Sequence, residues 1–307
     1  MSAKCHHHTV ILNAAATGVT LMTPDTVLKI AAFTRTTIDA DGGNPAGVVF
    51  ADSWPTETEM LAVSKAVGYS ETAFAVPDQG GAAGGWRVRY FAPRQEVPFC
   101  GHATIALGAA LGARMGAGVY DLTLNAGRIT VEAIPEGDGW AAALTSPPTW
   151  TRLPPADYVR RVLEEFGLTD ADLDPHLPVR LIHAGANHLV VALKDRRRLS
   201  QLGYAFRRGA ALQAEQSLAT FIFVTAESRT RFHARNPFAI GGVYEDPATG
   251  AAAAALAGYL RDIRWLEEGA IQVVQGEDMG RPSLIHASFG PEPGSPIRIS
   301  GLTAPIG

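Results

Sequence analysis

A chain of 307 residues with 47% hydrophobic and 18% charged side chains can bury a substantial core, and its length suits two units of roughly 150 residues each. A net charge of −4 and a pI near 6.1 leave no basic footprint, which argues against nucleic acid or an anionic membrane surface as partner. The two cysteines, Cys5 and Cys100, make no disulfide framework and fit a reducing cytoplasm, and no apolar run approaches the roughly 20 residues that span a bilayer.

Residues 1–26 show no consistent period and read as a disordered tail. Its Lys4-Cys5-His6-His7-His8 run offers consecutive donors, which supply a tetrahedral metal site poorly. A first strand is predicted over Val27–Phe33, then a turn at Asp39–Pro45 and a second strand through Gly47–Phe50. Thr56 and Glu59 form a capping-box pattern for a helix over Glu57–Val67, stopped by Gly68. Tyr69–Val76 alternates as a strand, with Thr72, Phe74 and Val76 on one face and Glu71, Ala73 and Ala75 on the other. Trp86–Ala92 is a strand, and His102–Arg114 is a helix so rich in Ala and Gly that its neighbours must approach its backbone closely. Strands at Val119–Ala126, Arg128–Ile134 and Trp140–Leu144 close the first half.

Pro147, Pro148, Pro154 and Pro155 mark a linker between units spanning residues 27–147 and 148–307. A helix over Ala156–Phe166 opens the second unit. Strands follow at Val179–His183, His188–Leu193, Thr220–Thr225 and Thr230–Ala234. A second small-residue helix covers Gly250–Asp262, and strands at Ile271–Gln275, Leu284–Ala287 and Ile297–Ser300 finish the chain. Arg196–Arg198 read as a solvated helix start. Strands and helices do not alternate, so a doubly wound parallel sheet is disfavoured and an α+β class expected.

The chain repeats itself. Arg-x-Arg-aromatic-x-Ala occurs at Arg87–Ala92 and, with an offset of 142, at Arg229–Ala234; the glycines opening the small-residue helices, Gly101 and Gly250, are 149 apart. Two helix N-termini facing one another would hold a carboxylate or a developing enolate. Cys100 and His102 flank one start, where a thiolate is favoured, though the same residues also suit a buried thiol beside a capping imidazole. Asp246 precedes the other start, as a reactive acid or as a helix cap with Pro247 in the first turn. Glu71 is the one acid among small and apolar strand residues, suited to receive and return a proton if partly buried, or a solvated strand end. The residues alone leave each pair of readings open.

Five segments occur in order: Gly43-Asn44-Pro45-Ala46-Gly47-Val48; Tyr69-Ser70-Glu71-Thr72-Ala73-Phe74; Tyr90-Phe91-Ala92-Pro93 with Glu96 to Thr104; Glu245-Asp246-Pro247-Ala248-Thr249-Gly250; and Gln275-Gly276 with Met279 to Ser283. Together they resemble the phenazine-biosynthesis PhzF-type isomerases of the diaminopimelate-epimerase-like superfamily, from about Val27 to the C-terminus. The resemblance implies two similar halves, each a sheet rolled round a central helix, with the site in the cleft between them. It implies that Glu71 transfers the proton, with His102 and Asp246 completing the catalytic trio, and that Asn44, Ser70 and Gly101 line the pocket. Cys100, Thr249 and Gly250 join them as substrate-binding candidates. A homodimer is typical of the family. Two departures stand out: Ala31 and Ala32 replace an Asp of the first strand, and Ala251 replaces a Ser after Thr-Gly.

The expected activity is therefore cofactor-independent isomerisation of a small carboxylate-bearing substrate, without metal, nucleic acid or membrane. Symmetric two-thiol racemisation is disfavoured because Thr249 stands where a second cysteine would be needed. Three alternatives stay open: a Cys100-based racemase or hydroxyproline-type dehydratase, a non-catalytic small-molecule binding protein on this scaffold, and a metal enzyme, which the His spacing disfavours.

Overall fold

The computed structural model describes residues 26–38, 42–80, 84–125 and 127–307. The expected tail, apart from Thr26, and Asp39 to Asp41 of the first turn lie outside the described residues.

The first half comprises β1 (Leu28–Thr34), β2 (Asn44–Phe50), α1 (Glu57–Val67), β3 (Glu71–Pro77), β4 (Trp86–Ala92), β5 (Gln95–Val97), α2 (Gly101–Met115), β6 (Gly118–Leu124), β7 (Gly127–Glu136) and β8 (Gly139–Thr145). The second comprises β9 (Thr149–Arg152), α3 (Ala156–Glu165), β10 (Arg180–Ala184), β11 (Asn187–Ala192), α4 (Arg196–Ser200), α5 (Phe206–Glu215), β12 (Thr220–Ala226), β13 (Arg231–Pro237), β14 (Glu245–Asp246), α6 (Gly250–Asp262), β15 (Gly269–Gln275), β16 (Ser283–Phe289) and β17 (Arg298–Pro305).

Pairing runs β1–β2–β3–β4–β6–β7–β8–β17 and back to β1, an eight-strand mixed barrel closed by the last strand of the chain. The series β9–β10–β11–β12–β13–β15–β16–β17 curls in the same way round α6. In both, two pairings are parallel at matching places: β2 with β3 and β4 with β6, then β11 with β12 and β13 with β15.

Local chemistry explains the elements. Thr56 and Glu59 make the reciprocal capping box of α1, and Gly68 closes it in a left-handed conformation. The alternation of β3 divides two cores: Ala73 and Ala75 face α2, while Phe74 packs with Val49, Met60, Val63 and Phe91 beneath α1. Helix α2 is buried from His102 through Gly112 because small side chains let the barrel wall close on it. A β-carbon on Gly108 would lie 2.5 Å from Val131 Cγ2. One apolar core runs through both barrels, joining Leu107 to Leu256.

Two expectations need correction. The proline-flanked linker contains a strand, since Thr149 to Arg152 pairs antiparallel with β10; Pro147, Pro148, Pro154 and Pro155 bracket it. The repeat register also differs. Val97 faces Tyr90 across β5–β4, and Asp246 faces Asn236 across β14–β13. With Gly101 matched to Gly250, Arg89 therefore corresponds to Arg235 and not to Arg231. Pro77 faces Trp86 in the first hairpin but Ala226 faces Phe232 in the second, so the latter turn is three residues shorter. The side chains agree: Arg89 pairs with Glu96, and Arg235 pairs with Glu245.

Candidate active site

Four elements meet at the starts of α2 and α6. Glu71 is the first residue of β3 on its inner face, and Ser70 precedes it. Cys100 occupies the N-cap of α2, and the imidazole of His102 in the first turn faces β3. His102 Nε2 lies 3.2 Å from Ser70 Oγ and 3.4 Å from Glu71 Oε2, with the His102 and Glu71 side chains 7% and 16% exposed. Cys100 Sγ lies 3.4 Å from the other ring nitrogen, Nδ1. Thr104 Oγ1 donates to Cys100 O and meets Tyr90 OH at 2.7 Å, which pins the first turn of α2.

Asp246 arrives from the second half. It sits on β14, and Thr249 is the N-cap of α6, so Asp246 is not the helix cap that its Asp-Pro context suggested. Asn44 Nδ2 reaches across the halves to donate to Asp246 Oδ1 at 2.9 Å and to Ala248 O at 3.1 Å. Thr249 Oγ1 donates to Asp246 Oδ2 at 2.6 Å. Burial pushes the Asp246 carboxyl up to about 6; the electrostatic attraction of His102 and the hydrogen bonds from Thr249 and Asn44 only partly offset it, and Glu71 adds to the rise. Burial, reinforced by Glu71 and Asp246, raises the Cys100 thiol well above its ordinary value. Of the two readings left open for Cys100, the buried thiol is the one favoured over the thiolate, because desolvation and two carboxylates outweigh the dipole.

Sequence reasoning did not single out Gln275, which is buried at the end of β15. Its Nε2 donates to Asp246 O at 2.7 Å and Thr249 Oγ1 at 3.1 Å, while its Oε1 accepts from Thr249 N at 3.2 Å. Gly276 follows with φ 78°, where a β-carbon would meet Arg281 O at 2.2 Å and Pro247 O at 2.7 Å. The Gln275-Gly276 pair was the available signal.

A small apolar cavity between the helix starts is lined by Phe33, Phe99, Gly101, Gly250 and Ala251. Phe33 is fully buried there with φ 64°, at a bulge of β1. Ala31 and Ala32 are also fully buried, so the departure from an Asp in this strand leaves packed methyl groups. Two larger grooves, one between α3 and α5 and one at the C-terminal end of α6, share no residue with the Glu71–His102–Asp246 cluster. Among the described residues one group could hold a metal ion, Glu71 with Cys100 and His102, whose ligand atoms all lie within 4.8 Å of one another. A search by His spacing could not find it, because its members come from β3 and the start of α2.

The site is asymmetric within a repeated scaffold. The repeat register matches Glu71 with Thr220, His102 with Ala251, Cys100 with Thr249 and Val97 with Asp246. Thr220 Oγ1 is engaged 2.8 Å from His188 Nδ1, and burial pushes the His188 pKa down to about 3.

The sequence profile of the family described as phenazine biosynthesis-like protein (PhzC-PhzF) matches residues 30–304. The chain is 34% identical over 250 residues to a trans-2,3-dihydro-3-hydroxyanthranilate isomerase of Pseudomonas fluorescens, covering 80% of this chain and 84% of that one. A solved PhzF-family phenazine biosynthesis protein of Bacillus anthracis superposes with a TM-score of 0.80 at 23% identity, over 92% of this chain and 96% of that one. A probable proline racemase of Agrobacterium radiobacter superposes at 0.61 and 12% identity over 92% and 91% of the two chains. The chain belongs to the PhzC-PhzF family, and its fold is of the diaminopimelate-epimerase-like kind.

Proposed function

We propose that this PhzC-PhzF family member is a cofactor-independent isomerase that moves a proton on a small carboxylate-bearing substrate, with Glu71 as the single general acid/base. The observation that carries the reading is the contact of Glu71 Oε2 with His102 Nε2, 3.4 Å apart at a helix start, opposite an Asp246 held by Asn44. Glu71 removes a proton from carbon next to an unsaturated system and returns it elsewhere. His102 and Asp246 orient the substrate and relay protons. Backbone N–H groups at the starts of α2 and α6 stabilise the delocalised anion.

Three features favour one base over two. The repeat mate of Glu71 is Thr220, the mate of Cys100 is Thr249, and the Cys100 thiol is held protonated. These weigh against the Cys100 racemase or dehydratase. The isomerase named for the Pseudomonas relative suggests the substrate class, a cyclic unsaturated acid bearing hydroxyl and amino groups. The reading includes a homodimer acting in the cytoplasm, where the buried, unpaired Cys100 stays reduced; among the described residues no helix is long and apolar enough to cross a membrane.

The experiment is mass-detected deuterium uptake from heavy water into such acids. Glu71→Gln should lower exchange by about 10²–10⁴-fold with an unchanged melting temperature. Exchange that survives in Glu71→Gln but disappears in Cys100→Ala would transfer the base to the thiol. Tight binding of an acid with no exchange would favour the binding protein.

A further inference from the structure

We propose that Gln275 is a positioning residue of this site: its amide fixes the direction of the Thr249 hydroxyl proton, and through it keeps the proton of Asp246 free to leave. The chain of roles starts at the backbone, where donor and acceptor cannot be exchanged. Thr249 N only donates, so the amide atom 3.2 Å from it is Oε1; Asp246 O only accepts, so the amide atom 2.7 Å from it is Nε2. Gln275 therefore has one orientation. The second Nε2 proton goes to Thr249 Oγ1 at 3.1 Å, and a donor in that place takes no proton from the hydroxyl. The Thr249 proton points instead to Asp246 Oδ2, 2.6 Å away.

Asn44 closes the other side by the same logic. The two protons of its Nδ2 go to Ala248 O at 3.1 Å and to Asp246 Oδ1 at 2.9 Å. Both Asp246 oxygens thus accept a bond whose direction is set from outside the carboxyl. When Asp246 is ionised, the two donors support the charge. When it is neutral, its proton can occupy only a lone pair that neither Asn44 nor Thr249 faces, because a proton aimed at Thr249 would meet the hydroxyl proton head on. A proton without an internal acceptor can pass into the cleft, whereas one donated to Thr249 would be held. The titratable groups that act on Asp246 are Glu71 of β3 and Cys100 and His102 at the start of α2; its hydrogen-bond partners are neutral. Gln275 is buried and acts only through Thr249 and the Asp246 backbone.

The orientation stands on this geometry alone, whereas its effect on turnover rests on the proposed role of Asp246. Full-length protein with aspartate labelled by ¹³C at Cγ is titrated by NMR, the Asp246 signal being the one that Asp246→Asn removes. Thr249→Ser should keep the wild-type midpoint, and Thr249→Val, which removes the donor, should raise it by about one pH unit. Gln275→Glu should raise it by a similar amount, because a carboxyl oxygen can accept the Thr249 proton and free Oγ1 to hold the proton of Asp246. Added to Thr249→Val, Gln275→Glu should raise it no further. An unchanged midpoint in Thr249→Val or in Gln275→Glu overturns the proposal. So does a full further rise in the double variant, since the new carboxyl would then act by charge. Both Nε2 protons of wild-type Gln275 should exchange with solvent at least about tenfold more slowly than those of an exposed glutamine, above and below the midpoint. Free exchange at either pH overturns the fixed amide, and this reading with the Thr249 pair carries the test if Gln275→Glu does not fold. In substrate deuteration, Gln275→Glu should lower kcat at least about tenfold with KM changed less than about threefold. An unchanged kcat overturns the effect on turnover. Deuteration absent in the wild type, with the midpoints as expected, counts against the isomerase reading and leaves the positioning role standing.

Discussion

At the scale of single residues, the site is built from groups whose neighbours oppose their ordinary ionisation. Asp246 has its pKa raised to about 6 from an ordinary 3.8, chiefly by burial. The folded state therefore holds this proton more tightly than the unfolded chain does. Stability contributed by the neutral carboxyl is complete below about pH 4 and is lost as the pH rises through 6. Asp246→Asn keeps the partner of Asn44 without a buried charge. It should melt above the wild type at pH 7, and the difference should shrink toward zero at pH 4, as read by calorimetry. A difference independent of pH would detach the effect from the carboxylate. Cys100 shows the opposite lesson for sequence reading: a thiol at a helix start suggests a thiolate, yet full burial beside two carboxylates decides the matter the other way.

At the scale of elements, the two small-residue helices set the geometry. A methyl group on Gly108 would lie 2.5 Å from Val131 Cγ2 and 2.9 Å from Ala142 Cβ, both fully buried. Alanine gains up to about 1 kcal/mol of helix propensity over glycine, but overpacking a rigid wall costs about 1–3 kcal/mol. Gly108→Ala should lose about 1–2 kcal/mol in urea titration, and a gain in stability would mean that the wall yields. The repeated ion pairs have different surroundings. Arg235 and Glu245 are both buried, and Arg235 also donates to the carbonyls of Leu199, Ser200 and Leu202; the Arg89–Glu96 pair is partly exposed. Elements with strong local signals were legible: the Thr56–Glu59 capping box, the alternation about Glu71 and the alanine run after Gly250. Those with weak ones were not. β5 and β14 are too short to carry a period, β9 hides between prolines, and α5 buries only Gly209, Leu212 and Gln213.

At the scale of the whole molecule, the halves are tied together. β17 pairs with β1 and β8 of the first half and with β16 of the second. Gly43 N donates to Pro282 O at 3.0 Å, Arg281 Nε donates to Gly43 O at 3.1 Å, and Arg35 pairs with Glu277 at 2.5 Å. A division into units 27–147 and 148–307 is then a division of the repeat. We expect no independent folding, because the first barrel lacks its closing strand without residues 298–305. Hydrogen exchange followed through a urea titration should show peptides from β3 and β12 losing protection at one midpoint. Two separated midpoints would mean that the halves unfold independently.

The sequence by itself determined what short-range chemistry can write: two helices of small residues, a strand with Glu71 on its inner face, and five ordered motifs carrying the family, its fold and the candidate residues of a site. Only the tertiary structure decided the repeat register, because the motif match at Arg231 stands four residues from the structural match at Arg235, an even shift that leaves the alternation of faces unchanged. It alone decided that Asn44 and Gln275 hold Asp246, and that Glu71, Cys100 and His102 converge. Those contacts join residues far apart in the chain, and distance along a sequence says nothing about separation across a closed barrel.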